Sequence, residues 1–258
     1  MRNLRIRPRF DLTDRVAIVT GSSKGIGEAM ARGLAEYGAK VIVSSRDQEA
    51  VDEIAAAYRD DGLEATGIAC HIGEPEERRQ LIERTLGTYG RLDILINNAA
   101  TNPYFGPLEE LTPAAYRKTL DTNLTAALEL SNLALPHLRA SGHGSVIHIS
   151  SVEGLHAGAN FAAYNISKAG LIMLGKSQAV EWASDNIRVN VICPGLVKTK
   201  LSRALWQDET MERQMKKMIP LSRMATPDEI GGLAVYLASD AASYVTGSVF
   251  VCDGGMLG

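Results

Sequence analysis

A phenol and an ammonium stand four residues apart in Tyr164-Asn-Ile-Ser-Lys168. On a helix this spacing stacks both side chains on one face, with Cβ atoms about 5–6 Å apart. A free tyrosine titrates near pH ~10 and is a poor proton donor or acceptor at neutral pH. A fixed positive charge beside it favours the phenolate and lowers that value. The pair is therefore a candidate general acid/base. Alone it is weak evidence, because a Tyr and a Lys at helical spacing often arise by chance. Its meaning depends on whether the chain also supplies a cofactor, a second polar group and a substrate pocket.

The cofactor signal is Thr20-Gly21-Ser22-Ser23-Lys24-Gly25-Ile26-Gly27. Glycines here let the backbone approach a pyrophosphate, and a helix N-terminus offers free N–H groups to the anion. The spacing is GxxxGxG rather than GxGxxG, and its weight comes from its place between the first strand and the first helix. After the second apolar run the chain reads Ser44-Ser45-Arg46, with no acid before Asp47. A carboxylate at that point accepts from the ribose hydroxyls of NAD and repels a 2′-phosphate, which a guanidinium binds bidentately. Lys24 adds a second positive charge on the same side. Together these features favour NADP(H); the competing reading of Arg46 is a solvated charge at a strand end.

The elements that must position these residues read as an alternation. Short β-branched runs, at Val16–Thr20, Lys40–Ser44, Ala65–Ala69, Leu92–Asn97, Gly144–Ser150, Arg188–Cys193 and Ser248–Val251, are nearly all apolar, as strands covered on both faces require. Between them lie helical patterns at Gly25–Tyr37, Gln48–Asp61, Glu76–Tyr89, Pro113–Arg139, Ala162–Ser184 and Pro227–Ser239. Pro113 and Pro227, each after a Thr, are expected first-turn prolines with an N-cap before them. The alternation predicts a single α/β domain, a doubly wound Rossmann fold with a seven-stranded parallel sheet flanked by helices, over residues 11–258. The stretch 196–225 breaks the rhythm and holds Trp206, Met211, Met215, Met218 and Met224. It reads either as a lid over a ligand site or as a self-packed insertion.

Composition bounds the rest. A chain of 258 residues with 45% hydrophobic residues fits one large domain with an ample core. A net charge of −3 gives no electrostatic case for nucleic acid or an anionic membrane. No run is apolar enough for a membrane span. Residues 1–10, with Arg2, Arg5, Arg7 and Arg9, are expected to be a frayed basic tail, since no apolar signal core follows them. Three scattered cysteines, Cys70, Cys193 and Cys252, point to structural thiols in a reducing compartment. Five histidines without HExxH spacing give no metal site. The end, Gly255-Met-Leu-Gly258, is not a Ser-Lys-Leu address, so a cytoplasmic location is expected.

Gly21-x3-Gly25-x-Gly27, Asn97-Asn98-Ala99, Asn123, Ser151, Tyr164-x3-Lys168 and Pro194-Gly195 occur in the order and spacing of the short-chain dehydrogenases/reductases, and the chain resembles that family over residues 11–258. Ser44-Ser45-Arg46, Cys70-His71-Ile72-Gly73, Asn102-Pro103-Tyr104-Phe105-Gly106 and Ser202-Arg-Ala-Leu-Trp206 are similar to its NADP-dependent carbonyl/retinal reductase branch. The resemblance implies that Tyr164 protonates a carbonyl being reduced, or accepts the proton of an alcohol being oxidised. Lys168 would contact the nicotinamide ribose and depress the Tyr164 pKa. Ser151 would hydrogen-bond the substrate oxygen, and Asn123 would hold a water linking Lys168 to solvent. Asn98 and Ala99 would border the cofactor, and Pro194, Gly195, Val197 and Thr199 would meet its nicotinamide end; Thr199 could equally cap the lid. His71, with Ile72, stands where many members have an adenine-contacting Asp, and Ala100 replaces the usual Gly. The family also implies a homotetramer.

The substrate pocket should follow the strand ends, at Thr101, Tyr104, Glu153, Leu155, Phe161, Leu201, Leu205 and Trp206. Its apolar and aromatic members suit a hydrophobic ketone, aldehyde or enal. Glu153 is the odd member, either recognising a polar substrate or solvated at the rim. The expected activity is NADPH-dependent carbonyl reduction. The alternatives are an NADP-dependent alcohol, sugar or steroid dehydrogenase working oxidatively, and a silent dinucleotide-binding regulator, against which both Tyr164 and Lys168 argue.

Overall fold

The computed structural model describes residues 5–200, 202, 206, 207, 210, 213 and 216–258. Of the residues singled out above, Arg2, Leu201, Leu205, Met211 and Met215 lie outside the described residues.

The chain alternates β1 (Val16–Thr20), α1 (Gly25–Glu36), β2 (Lys40–Ser45), α2 (Gln48–Asp60), β3 (Ala65–Ala69), α3 (Pro75–Tyr89) and β4 (Ile94–Asn97). There follow α4 (Pro113–Leu120), a π turn at Asp121–Thr125, α5 (Ala126–Ser141), β5 (Ser145–Ile149), α6 (Ala162–Trp182), β6 (Arg188–Pro194), α7 (Asp228–Ala238) and β7 (Val249–Cys252). The seven strands form one parallel sheet in the order β3-β2-β1-β4-β5-β6-β7. The order reverses between β1 and β4, the place where ligands bind outside the carboxyl ends of a doubly wound sheet. Every residue of β1, β4 and β5 is buried. Alternate residues feed opposite cores, Ala17, Val19, Val41 and Val43 on one face of the sheet and Ile18, Ile42, Leu95 and Val146 on the other. This is the period of two that a doubly covered strand imposes.

Three expectations change. The helix expected over Pro113–Arg139 is two helices separated by the π turn, and Asn123 sits inside that turn. A wider turn shifts the facing of the side chains it contains, and here it leaves Asn123 2% exposed. Thr112 caps α4 as expected, its hydroxyl accepting from the Ala115 N–H at 3.2 Å. Thr226 makes no such cap, and instead its N–H donates to the Glu229 carboxylate at 2.9 Å. The basic start is docked rather than frayed from Arg7 onward. Arg7–Phe10 form a 3-10 turn, Arg9 donates to the Asp240 carbonyl and the Ser243 hydroxyl at 2.6 Å each, and the Phe10 ring lies 6.3 Å from that of Tyr236.

The 196–225 excursion leaves and returns at one point. Ala225 donates to the Leu196 carbonyl and Lys198 to the Ala225 carbonyl, at 2.9 Å each. Its two roots are thereby zipped together at the end of β6. No helix among the described residues is long and apolar enough to cross a membrane.

Candidate active site

The glycine loop is held by the ends of three strands. Gly21 and Gly25 have φ of +64°, which a side chain would strain. A Cβ on Gly27 would stand 2.3 Å from the Gly21 carbonyl oxygen. The first turn of α1 therefore presses directly on the loop. Asn98, past β4, donates to the carbonyls of Thr20 at 2.8 Å and Gly21 at 3.1 Å. The Thr20 hydroxyl accepts from the N–H groups of Asn98 and Ala99. Ser22 is tied to Ser44 of β2 at 2.9 Å. Lys24 stands in the N-cap position of α1 without a side-chain cap, so backbone N–H groups remain for an anion.

Outside this loop lies a cleft of about 480 Å³. Gly21, Ser23, Lys24, Gly25, Ile26, Gly27, Ser45, Arg46, His71, Ile72, Asn98, Ala99 and Thr199 all line it. Pro194, Gly195 and Val197 do not, nor do Tyr164 and Lys168, which were also expected to touch the cofactor. Pro194 and Val197 are buried, and the Gly195 N–H is committed to the Cys252 carbonyl at 2.9 Å. Asp47, the first acid after β2, caps α2 by accepting from the N–H groups of Glu49 and Ala50 at 3.1 and 3.3 Å. The His71 N–H donates to Glu77 at 2.6 Å and its Nδ1 accepts from Gly73 at 3.2 Å, which leaves Nε2 as its free edge. Sequence reasoning missed Lys118, Thr122 and Lys200, which share the lining. The Thr122 hydroxyl is buried without a partner. A glycine cradle, free helical N–H groups, the cations of Lys24, Arg46, Lys118 and Lys200, and an orphaned hydroxyl fit a dinucleotide. The spacing of Lys118 and Thr122, one turn apart and just ahead of Asn123, was the signal available for them.

The second cluster stands beside it at the head of α6. Ser151 follows β5 and is 9% exposed; its hydroxyl accepts from the Glu153 N–H at 3.1 Å and acts on the Tyr164 phenol so as to lower its pKa. Lys168 is 2% exposed, its Nζ 5.5 Å from the centre of the Tyr164 ring and donating to the Ile149 carbonyl at 2.8 Å. The Ser150 hydroxyl donates to the Lys168 carbonyl at 2.8 Å, pinning α6 to the end of β5. The Asn123 side chain donates to the Thr101 carbonyl at 2.9 Å and the Ser167 hydroxyl at 3.0 Å, and accepts from the Thr101 N–H at 2.8 Å. Ser167 in turn donates to the Tyr164 carbonyl at 2.8 Å. Both Asn123 side-chain donors are thus spent on protein, and the water expected on this residue would have to meet Oδ1 or the backbone of the π turn.

The electrostatics correct one expectation. Burial pushes the Tyr164 hydroxyl up to about 12, against the lowering by Ser151, and Glu153 and Cys193 push it the same way as burial. Lys168 is not among the groups that shift the phenol, and burial lowers its own pKa to about 8. Beneath the site His148 is fully buried, its Nε2 bonded to Gln178 at 2.7 Å and its Nδ1 to Asn97 at 3.3 Å. Burial lowers it to about 4. The Gln178 contact is to a carbonyl oxygen, so the ring is neutral with its proton on Nε2.

The expected substrate residues divide. Phe161 stacks edge-on against Phe105 at 4.8 Å and lies 6.3 Å from the Tyr164 ring, while Leu155 is exposed nearby in sequence to Ser151. Tyr104 spends its hydroxyl on the Pro107 carbonyl at 2.8 Å. The Trp206 indole N–H donates to the Thr199 carbonyl at 3.0 Å, folding it back on the root of the excursion. Thr199 lines the cleft and exchanges bonds with Ser202. Glu153 is neither free nor fully solvated: its carboxylate accepts from the Gly158 N–H at 3.2 Å.

Comparison with known proteins gives the same assignment along nearly the whole chain. Residues 21–257 match the family model described as Enoyl-(Acyl carrier protein) reductase. The chain is 42% identical to human Dehydrogenase/reductase SDR family member 4, over 96% of this chain and 89% of that one. It is 40% identical to a tropinone reductase homolog from Arabidopsis thaliana, over 98% of this chain and 94% of that one. Among solved structures, a gluconate 5-dehydrogenase from Burkholderia cenocepacia in complex with NADP and tartrate superposes with a TM-score of 0.93 at 34% identity, covering 98% of this chain and 99% of that one.

Proposed function

The chain belongs to the short-chain dehydrogenase/reductase family, a family of nicotinamide-dependent oxidoreductases, and on that premise we propose that it reduces a ketone or aldehyde with NADPH, using Tyr164 as the proton donor. The observation that carries this reading is the placement of Ser151 and Tyr164 beside buried Lys168 at the head of α6, joined through Ser167, Asn123 and Thr101 to the cleft lined by the glycine loop.

When bound, the cofactor supplies the hydride. The glycine loop and the first turn of α1 hold its pyrophosphate. Arg46 and Lys24 would hold the 2′-phosphate, Ser45, His71 and Ile72 would border the adenosine, and Asn98, Ala99 and Thr199 would enclose the rest. Asp47 supports the NADP preference, because its carboxylate serves α2. Ser151 directs its hydroxyl at the substrate oxygen, where negative charge develops. Tyr164, held protonated by burial, gives the proton, and charged Lys168 steadies the phenolate left behind. A fully protonated phenol at neutral pH suits reduction better than oxidation. Asn123 keeps the Thr101 loop and α6 in register and opens the route by which the proton is replaced. Tyr104, Leu155, Phe161 and Trp206 would form the apolar wall, in keeping with the carbonyl/retinal reductase branch.

The assembly in this reading is a homotetramer. Ile166, Met173 and Val180 are exposed on α6 at intervals of seven residues, with Leu128 exposed on α5, as helices that pair with a second copy require. Three free cysteines suit a reducing, cytoplasmic setting.

The test is oxidation of NADPH and NADH, followed by cofactor absorbance, against a panel of ketones, aldehydes and diketones. NADPH is expected to be preferred by about ten-fold or more in kcat/KM, the scale of a charge-assisted phosphate contact. Equal use of both cofactors, or a preference for NADH, would overturn the role of Arg46.

A further inference from the structure

Glu153 is an acid among the mostly apolar side chains expected on the substrate side, beside the exposed Leu155 in sequence. It sits in the 3-10 turn Val152–Gly154, two residues past Ser151, and its own N–H donates to the Ser151 hydroxyl at 3.1 Å. Its main chain is therefore one hydrogen bond from the hydroxyl that acts on Tyr164. Its carboxylate is half-buried and fixed by the Gly158 N–H at 3.2 Å, and it forms no ion pair among the described residues. The strap it closes is itself anchored. Asn165 of α6 donates to the Gly158 carbonyl at 3.0 Å, and Gly106 donates to the Asn160 carbonyl at 3.2 Å. Its negative field reaches Tyr164. Glu109 and Glu110 are exposed and bear on Tyr104. His156, exposed, is the other titratable group of the strap.

We propose that Glu153 makes the site select substrates by charge, accepting neutral and ammonium-bearing carbonyl compounds and rejecting those with a carboxylate near the reacting carbon. The proposal rests on the reading of Tyr164 and Ser151 as the carbonyl-binding pair. An oxygen gripped by those two groups brings the substituents of its carbon to the turn that carries Glu153, whose charge already acts on Tyr164. Charges that close, partly shielded from water, interact far more strongly than in bulk solvent. A carboxylated substrate meets a fixed like charge, and an ammonium meets a fixed counter-charge. The fold neighbour named as a gluconate 5-dehydrogenase acts, by its name, on an acid. This chain would share that fold and refuse that substrate class.

The experiment compares three near-isosteric probes on the purified protein with NADPH: 4-methylacetophenone, 4-(aminomethyl)acetophenone and 4-acetylbenzoate. The wild type is expected to favour the ammonium probe over the carboxylate probe by about ten-fold or more in kcat/KM, a ratio that shrinks as salt is raised. Glu153→Gln, whose amide oxygen can still accept from Gly158, should bring the ratio within about three-fold, read against its own rate on the neutral probe. Glu153→Asp keeps the charge but withdraws it from Gly158, and should keep most of the ratio. Equal use of the charged probes by the wild type, or a Glu153→Gln ratio like that of the wild type, would overturn the proposal. A Glu153→Gln protein that slows equally on all three probes would reduce Glu153 to a staple of the strap and likewise overturn it. Silence toward the neutral probe bears instead on the direction of the reaction. The three corresponding alcohols with NADP+ then give the same ratio.

Discussion

The two sides of this site are built differently. On the nucleotide side, the positions of Gly21, Gly25, Gly27 and Asn98 are set by backbone: two left-handed glycines, a helix pressed onto a carbonyl, and bonds that join the ends of β1, β2 and β4. On the substrate side, Tyr104, Glu153, Phe161 and Trp206 hang from loops whose side chains satisfy one another locally. A backbone-built site tolerates little change and leaves a short sequence signature. A loop-built site can change its chemistry one residue at a time while the scaffold stays the same.

Substitutions on the two sides should therefore fail differently. The largest effect belongs to Gly27→Ala. Its methyl group has nowhere to go, so the loop must move or the helix must lift. We expect a loss of about 3 kcal/mol or more in folding stability, and NADPH binding abolished, in thermal melts and cofactor fluorescence titrations. A Gly27→Ala protein that melts and binds normally would remove the rigidity from the comparison. Next is Asn123→Ala, at the seam between the sides. It strips partners from buried Thr101 and Ser167 groups and should cost about 2–3 kcal/mol by denaturant unfolding. It should also lower kcat/KM by about 10²-fold, while NADPH binding changes little. Equal losses in binding and turnover would place Asn123 on the nucleotide side instead.

The pH profile separates the groups more gently. Tyr164 at about 12 stays protonated through the neutral range, whereas Lys168 loses its charge near 8. The kcat/KM for reduction should be flat around neutrality and fall about ten-fold per unit as pH rises above about 8. A profile flat up to pH ~10 would contradict the placement of Lys168. The smallest effect is the response of folding to mild acid. The folded His148 pKa, about 4, lies below its unfolded value of ~6.5, so the stability it contributes is complete above ~6.5 and is lost as pH falls toward 4. The loss should be about 1–2 kcal/mol by pH ~5.5, measured by urea unfolding, and His148→Gln should flatten that slope.

Legibility in the sequence follows the same division. The strand runs, the glycine loop and the Tyr164 and Lys168 pair were readable because each depends on local pattern: a continuous apolar run, glycine spacing, or four residues along a helix; Ser151 was legible only through the family resemblance. The π turn was not, because no residue type marks it, and with it went the environment of Asn123. Nor was the direction in which Tyr164 titrates. Spacing places Lys168 beside the phenol but says nothing about how deeply both are buried, and burial sets the direction here. The partners of Glu153 and Trp206 lie in loop conformation, which sequence pattern leaves open.

The most direct measurement on the central claim is Tyr164→Phe, assayed in parallel for ketone reduction and for NADPH binding by cofactor fluorescence. The phenyl ring preserves the packing against Phe161 and removes only the proton. Turnover is predicted to fall by about 10³-fold or more, with the NADPH Kd within about three-fold of the wild type. A Tyr164→Phe protein that keeps more than about a tenth of the wild-type kcat would contradict the assignment of Tyr164 as the proton donor, and with it the account of this site.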